Sequence, residues 1–358
     1  MAPGPREAPP APTRPLVVMY VVFVVLAIAQ LARGSAVATV ITISQVTTSP
    51  LISPTSLLVL RSMSAMLIWV SLGSRLMAKV GPLVPEVARF PASRLPPTSV
   101  VMGGPIVLTT FTVQCWLLQG LFFSGAAVCS AASLAGALPA AEGDASALAL
   151  FLVRRLPRAV HVAFEVSLPM ALITTSVVTF ALIPNILRKG LTPLLFFSTN
   201  QQLMHVANLF LMLTELLVTS LPIIPADFTF PLLFGLYYIA LAWVWMRRTN
   251  IVYYPFLDPT LPPQLSLPIH VGLFAILTLF FAIGCALQAL HSSDLLPLPL
   301  SALLMYGGAW GLSWTRLKGV PLPPRGETHM PWADARVRLA ETMRPVSHGW
   351  QSVGTRLR

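Results

Sequence analysis

The stretch LVVMYVVFVVLAIAQLA, residues 16–32, decides the class of fold. It is an unbroken apolar run of about the length that a helix needs to cross the hydrocarbon core of a bilayer. Lipid offers no hydrogen bonds to the backbone, so a segment of this kind must be a helix or a strand of a closed barrel. Its apolar residues do not alternate with polar ones, and the run therefore indicates a helix.

The composition extends this prediction to the whole chain. The 358 residues are 55% hydrophobic, their mean hydropathy is +0.76, and only 10% are charged. Soluble globular proteins carry about 25% charged residues. The sequence therefore predicts an all-α protein, a polytopic transmembrane helix bundle with about six to eight spans. The eight candidate spans are 16–32, 55–73, 106–134, 160–183, 200–220, 228–246, 266–290 and 297–314, of which the last is weakened by prolines.

Composition shifts divide the chain into five parts. A Pro-rich N-terminus without regular structure is expected at 1–14, and an N-terminal extension with one or two spans at 15–105. The main group of spans occupies 106–290, a further span is expected at 291–314, and a basic cytosolic tail at 315–358. The first span is read as an uncleaved anchor rather than a signal peptide.

The formal net charge of +11 has a membrane explanation. The Lys and Arg residues lie in loops and in the tail, without a basic helix interleaved with aromatics, so a nucleic-acid partner is not expected. Most of them fall on one side if the N-terminus is cytosolic, as the positive-inside rule predicts, although RRLPR at 154–158 opposes that bias. The endoplasmic reticulum is the default membrane, with another endomembrane or the plasma membrane as alternatives. The oligomeric state stays open.

The three cysteines, Cys115, Cys129 and Cys285, lie in apolar segments at no spacing typical of a metal site. We interpret them as small buried hydrophobes. Charged residues inside spans need partners, and Arg61 and Glu165 are expected to pair with each other. His161 and His270 show no paired pattern that would favour haem.

One span combines apolar and polar residues in a pattern of its own. In NQQLMHVANLFLMLTELL, residues 200–217, helical spacing places His205, Asn208, Met212 and Glu215 on one face. A polar stripe facing lipid would cost several kcal/mol. The stripe is therefore predicted to face other helices or a water-filled cavity.

A second polar face lies in LTTFTVQCWLLQGLFF, residues 108–123, and includes Thr112 and Gln119. With the predicted topology, Thr112 and His205 lie at a similar depth in parallel spans. A neutral imidazole can accept the proton of a hydroxyl group and so activate it as a nucleophile. Asn208 or Glu215 could orient the imidazole. Hydrogen bonding between packed helices explains the same residues without any chemistry.

Four segments together resemble a known family. They are FTVQCWLLQGLFFSG (111–125), LVRRLPRAVHVAFEVSLPMALITTSVVTFALIP (152–184), MHVANLFLMLTELL (204–217) and MRRTNIVYYPFLD (246–258). In this order they are similar to the androgen-induced gene one family of multi-pass membrane proteins. The resemblance covers about residues 106–290 and leaves the first hundred residues and the tail unexplained.

The resemblance implies a function. Mammalian members of that family are membrane threonine hydrolases that cleave fatty acid esters of hydroxy fatty acids. Aligned through Gln119, the nucleophile falls on Thr112 and its base on His205, whereas a shifted alignment would select Thr109 or Thr110. A membrane lipid is then the substrate, and no metal or organic cofactor is implied. A non-enzymatic scaffold or lipid-binding regulator is the alternative, and a transporter the third.

Overall fold

The computed structural model describes residues 12–34, 41–78, 83–84, 90, 92–95, 100–101, 103–136, 151–184, 196, 198–292 and 297–314. Seven helical segments in these ranges are long and apolar enough to cross a membrane. The chain is therefore an all-α multi-pass integral membrane protein, as the composition predicts. The last described helix has only 17 residues and is shorter than the seven. Residues 1–11 of the predicted N-terminus and all of the predicted tail, 315–358, lie outside the described residues.

The helices are numbered in chain order. They are α1 (Arg14–Gly34), α2 (Ile43–Thr47), α3 (Pro54–Met77), α4 (Phe111–Leu134), α5 (Leu156–Val177), α6 (Thr199–Gln202), α7 (Asn208–Val218), α8 (Thr229–Thr249), α9 (Pro263–Ser292) and α10 (Leu298–Trp314). A π-helical segment, Val178–Leu182, extends α5, and another, Leu203–Ala207, joins α6 to α7 into one candidate span. Two short strands, β1 (Leu83–Val84) and β2 (Val100–Val101), pair antiparallel, with Leu83 opposite Val101.

Local sequence signals explain where several helices begin and end. Ser53 caps α3, its side chain accepting from the Ser56 N–H, and Pro54 occupies the first turn, where its missing N–H costs nothing. Thr42 and Gln45 form a capping box at α2. Asn250 ends α8 in the left-handed conformation at φ 61°, which asparagine tolerates better than most side chains.

Successive spans run in opposite directions, so the bundle has two ends. We call the end where α1 begins the first end. There the Thr109 and Tyr253 hydroxyls lie 2.8 Å apart, ahead of α4 and after α8. At the second end the Thr47 hydroxyl donates to the Ser133 hydroxyl over 3.5 Å. This alternation agrees with the predicted topology.

Helix α5 occupies the centre of the bundle. It contacts α4, α7, α8, α9 and α10. In its most apolar stretch of 18 residues, 72% of the residues are buried, which is the largest share among the seven candidate spans in the described ranges. Small residues on its neighbours permit close approach. A Cβ built on Gly125 of α4 would lie 2.8 Å from Val160, and one on Gly284 of α9 would lie 3.2 Å from Leu168. Such contacts drive helix association in lipid, where apolar burial alone gives little.

The predicted pairing of Arg61 with Glu165 is wrong. Arg61 of α3 instead binds Glu215 of α7, its Nη2 lying 2.5 Å from Oε1, and both side chains are fully buried. Arg61 Nη1 also donates to the Ser130 hydroxyl over 2.8 Å. Two charges inside a bundle require this kind of close geometry to offset desolvation. Periodicity could not choose between the two glutamates, because both lie on buried helix faces.

Candidate functional site

A partly open cleft lies between α4, α5, α8 and α9 toward the first end of the bundle. Its volume is about 790 Å³ when its open mouth is included. Because Thr112 is the predicted nucleophile and stands on the wall of this cleft, we call it the Thr112 cleft.

The wall of the Thr112 cleft is nearly all apolar. Its apolar lining residues are Phe111, Met170, Ile173, Val177, Val178, Leu182, Gly235, Ile239, Phe256, Leu257, Leu273, Phe274, Ile276 and Leu277. Four hydroxyl side chains complete it: Thr112, Thr174, Tyr238 and Tyr254. An apolar cavity with a few polar groups suits a ligand that is mostly hydrocarbon.

Hydrogen bonds beside the cleft join Thr109, ahead of α4, to α8 and to the segment after α8. The Tyr253 hydroxyl pairs with that of Thr109, and the Tyr238 hydroxyl donates to the Thr109 carbonyl over 3.2 Å. Burial raises the pKa of Tyr254 to about 12, and hydrogen bonding with the side chain and backbone of Thr112 acts in the opposite direction. The Tyr254 hydroxyl therefore keeps its proton at neutral pH and can donate beside Thr112.

The YYPFLD segment has a structural explanation. Tyr254, Phe256 and Leu257 line the cleft, while the Leu257 carbonyl accepts from the Trp243 indole over 3.1 Å. Asp258 is buried, and its Oδ1 accepts from the Thr260 N–H over 2.8 Å, forming a tight local turn. The sequence marked this segment only through its resemblance, and the structure gives it a role as one wall of the cleft.

His205 lies in a different environment. It is 6% exposed and sits in the π-helical segment between α6 and α7. Its Nε2 lies 2.7 Å from Gln201 Oε1, so Nε2 carries the proton and donates it. Nδ1 is then an acceptor, and it has no hydrogen-bond partner among the described residues. The Phe196 ring meets the imidazole edge-on at 5.8 Å.

The residues predicted to support His205 bind elsewhere. Asn208 Oδ1 accepts from the Thr175 hydroxyl of α5 over 3.2 Å, and Glu215 pairs with Arg61. Gln119 is fully buried, and its amide atoms have no partner in the described part of the chain. The face formed by His205, Asn208, Met212 and Glu215 is buried, as predicted. Its three polar residues bind different partners and do not form one site.

The structure does not bring all the predicted site residues to one place. Thr112 lines the cleft, whereas His205 is not part of the lining and donates a hydrogen bond to Gln201. The sequence missed Thr174, Tyr238 and Tyr254, the other hydroxyl groups of the cleft. Spacing along the chain cannot reveal which helices meet, so it could not place these three hydroxyl groups beside Thr112.

Comparison with protein-family models, with curated proteins and with solved structures gives no significant match. The class that the structure itself defines is a multi-pass α-helical membrane protein with an apolar cleft between its helices.

Proposed function

We propose that this protein binds a lipid inside the membrane, in the Thr112 cleft. The observation that carries the proposal is the lining of the cleft, whose side chains are all apolar except for four that carry a hydroxyl group. A ligand with a long apolar part and one weakly polar group matches that wall. A charged or sugar-like ligand would lose its hydration without gaining ionic partners.

The polar end of the ligand is placed by Thr112 and Tyr254. A protonated Tyr254 hydroxyl donates to a carbonyl oxygen, and the Thr112 hydroxyl stands beside it. An ester or a free fatty acid would set its carbonyl group here and extend its acyl chain along Ile173, Phe274 and Leu277. The cleft is partly open, so the ligand would move in sideways from the bilayer.

Photo-crosslinking tests this binding site. Membranes containing the full chain are incubated with a fatty acid that carries a diazirine on its acyl chain, then irradiated, digested and mapped by mass spectrometry. We expect crosslinks on cleft residues such as Ile173 and Leu277. Gly235→Phe should reduce labelling several-fold, because the new ring fills a wall of the cleft.

Gly272→Phe is the matched control. It adds the same ring to a neighbouring helix at a position where a Cβ has nothing within 4 Å. Labelling that is equal in wild type, Gly235→Phe and Gly272→Phe, or that falls outside the cleft, would refute lipid binding at this place.

A second candidate is hydrolysis of a lipid ester, and the position of Thr112 on the cleft wall favours it. Thr112 Oγ would attack the ester carbonyl, the alcohol would leave as the C–O bond breaks, and water would then release the acid. The hydroxyl proton needs an acceptor. The resemblance assigns that role to His205, whose Nδ1 has no hydrogen-bond partner among the described residues but whose ring is not part of the cleft lining.

An activity assay tests this second candidate. Membranes that express the chain are given a fatty acid ester of a hydroxy fatty acid, with Thr112→Ala and His205→Gln at matched expression. Loss of turnover in both variants supports a threonine hydrolase. Thr278→Ala is the control, since its hydroxyl donates to its own helix at Phe274. Turnover that persists in Thr112→Ala, or is absent from wild type, would refute the threonine hydrolase. The lipid-binding proposal would then be judged by the crosslinking result alone.

A further inference from the structure

A second polar site lies at the other end of the bundle, away from the cleft. Arg158, His161 and Glu165 follow one another along the first turns of α5, and Asp227 reaches them from the turn before α8. His161 and Glu165 are buried, and the Asp227 side chain is 14% exposed. We call these four residues the second-end cluster. None of them belongs to the lipid site proposed above.

The histidine of this cluster presents a lone pair to two carboxylates. His161 Nε2 lies 2.9 Å from the Pro222 carbonyl and therefore carries the proton that it donates there. Nδ1 is left as the acceptor, and Arg158 Nη1 donates to it over 2.9 Å. Nδ1 also lies 3.4 Å from Glu165 Oε2 and 3.9 Å from Asp227 Oδ2. A histidine whose far nitrogen donates to a backbone carbonyl is the usual arrangement around protein-bound metals, because that bond fixes the tautomer and ring orientation.

Glu165 has binding capacity that the described residues do not use. Its Oε1 accepts from the Ile224 N–H over 2.6 Å. Its Oε2 is buried and finds no hydrogen-bond donor in the described ranges, although the side chain is only 1% exposed. When Glu165 is ionised, its Oε2 is repelled by the Asp227 carboxylate and by the His161 Nδ1 lone pair, although the Arg158 guanidinium donates to both of those groups. A cation between the three acceptors removes that repulsion.

We propose that the second-end cluster binds a divalent cation of the zinc type through His161 Nδ1, Glu165 Oε2 and Asp227 Oδ2. The three ligand atoms lie within 4.8 Å of one another. Zinc takes nitrogen and oxygen ligands at about 2.0–2.2 Å, so the cluster must contract slightly around the ion. One imidazole and two carboxylates suit zinc, and a water molecule would complete four ligands. The partly exposed Asp227 gives the ion access from outside.

Arg158 is a built-in competitor for this site. Its Nη1 lies 2.9 Å from His161 Nδ1 and 2.8 Å from Asp227 Oδ2, between two of the metal ligands. Its Nη2 holds Asp227 Oδ1 over 3.1 Å. An arriving ion must displace Nη1 but can leave the Nη2 contact in place. The guanidinium therefore lowers metal affinity, and its removal should raise it.

Metal binding by the full chain in lipid nanodiscs tests the proposal. Zinc is measured by equilibrium dialysis, and Co²⁺ absorption reports the ligands. We expect one ion per chain in wild type and affinity lower by at least about tenfold in Glu165→Gln and Asp227→Asn. Arg158→Gln should bind more tightly than wild type. His270→Gln is the control, because it removes another buried histidine, on α9, and should change nothing.

The variants are expected to change zinc affinity in opposite directions, which separates loss of the site from loss of folding. A variant that merely unfolds cannot bind more tightly, so tighter binding by Arg158→Gln supports the site even if Glu165→Gln is unstable. Absence of a bound ion in wild type, or equal affinity in wild type, Glu165→Gln, Asp227→Asn and Arg158→Gln, would overturn the proposal. Neither result bears on labelling of the Thr112 cleft, which lies at the opposite end of the bundle.

Discussion

Two buried glutamates of this bundle have opposite surroundings. Glu215 is fully buried and bound by the Arg61 guanidinium, whose Nε and Nη2 both donate to it. Glu165 is almost as buried, yet one of its oxygens has no donor among the described residues. Glu215 is thus a closed structural contact, whereas Glu165 retains capacity for a ligand. The difference shows that burial of a carboxylate in a membrane helix does not by itself indicate function.

The largest effect is expected when the Arg61–Glu215 pair is broken on one side. Arg61→Met leaves Glu215 as an uncompensated charge within the bundle. Removal of one partner from a buried ion pair costs about 3–5 kcal/mol. We expect a loss of unfolding free energy of that size, measured by thermal or denaturant unfolding in detergent.

The double variant Arg61→Met with Glu215→Leu sharpens this first test. It removes both charges and should recover most of the lost stability, because a well-packed apolar pair can replace a buried salt bridge. A double variant as unstable as Arg61→Met would mean that the guanidinium acts mainly through its other contacts.

A smaller loss of stability is expected when the hydrogen bond between Arg61 and Ser130 is removed. Arg61 Nη1 donates to the Ser130 hydroxyl over 2.8 Å, and Ser130→Ala removes that acceptor. Hydrogen bonds to charged groups contribute roughly 1.5–3 kcal/mol. We expect a loss near the lower figure, since Nη1 retains the Ala126 carbonyl at 3.4 Å. The same unfolding measurement detects it.

Ser313→Ala is the matched control for Ser130→Ala. Ser313 is a buried serine of α10 whose hydroxyl donates to the Ala309 carbonyl of its own helix. Its replacement should cost less than that of Ser130. Equal losses in the two variants would show that Ser130 contributes as an ordinary buried serine and not through Arg61.

The sequence predicted the bundle but not the partners within it. Long apolar runs predict spans almost regardless of tertiary context, because lipid requires closed backbone hydrogen bonding. The partner of Arg61 depends on which helices are neighbours, and both Glu165 and Glu215 satisfied the pattern. Thr112 and His205 show the same limit. Spacing along the chain predicts a similar depth for these two residues, but the direction of each side chain around its helix depends on the packing.

Two residues that the sequence analysis did not identify lie outside the long helices. Asp227 joins the second-end cluster from a turn, and Tyr254 joins the Thr112 cleft from the segment after α8. Neither shows helical spacing relative to the residues it contacts. A charged residue in a short turn beside a span containing His161 and Glu165 was the one available signal, and it is weak by itself.

The smallest change in stability is expected for Glu165→Gln, and its comparison with Glu215→Gln tests the contrast between the two glutamates directly. Glu165→Gln keeps an amide oxygen for the Ile224 N–H, and its new NH₂ group can donate toward Asp227 or His161. With metal chelated, we expect stability within about 1 kcal/mol of wild type, the range of a typical hydrogen bond. Glu215→Gln makes the same chemical change against Arg61 and should cost clearly more. Added zinc should then stabilise wild type by about 2.7 kcal/mol at a hundredfold excess over its dissociation constant, and Glu165→Gln by at most about 1.4 kcal/mol at the same zinc concentration. Equal costs for the two substitutions in chelator would mean that Glu165 is as fully engaged as Glu215, and the contrast between the two sites would fail.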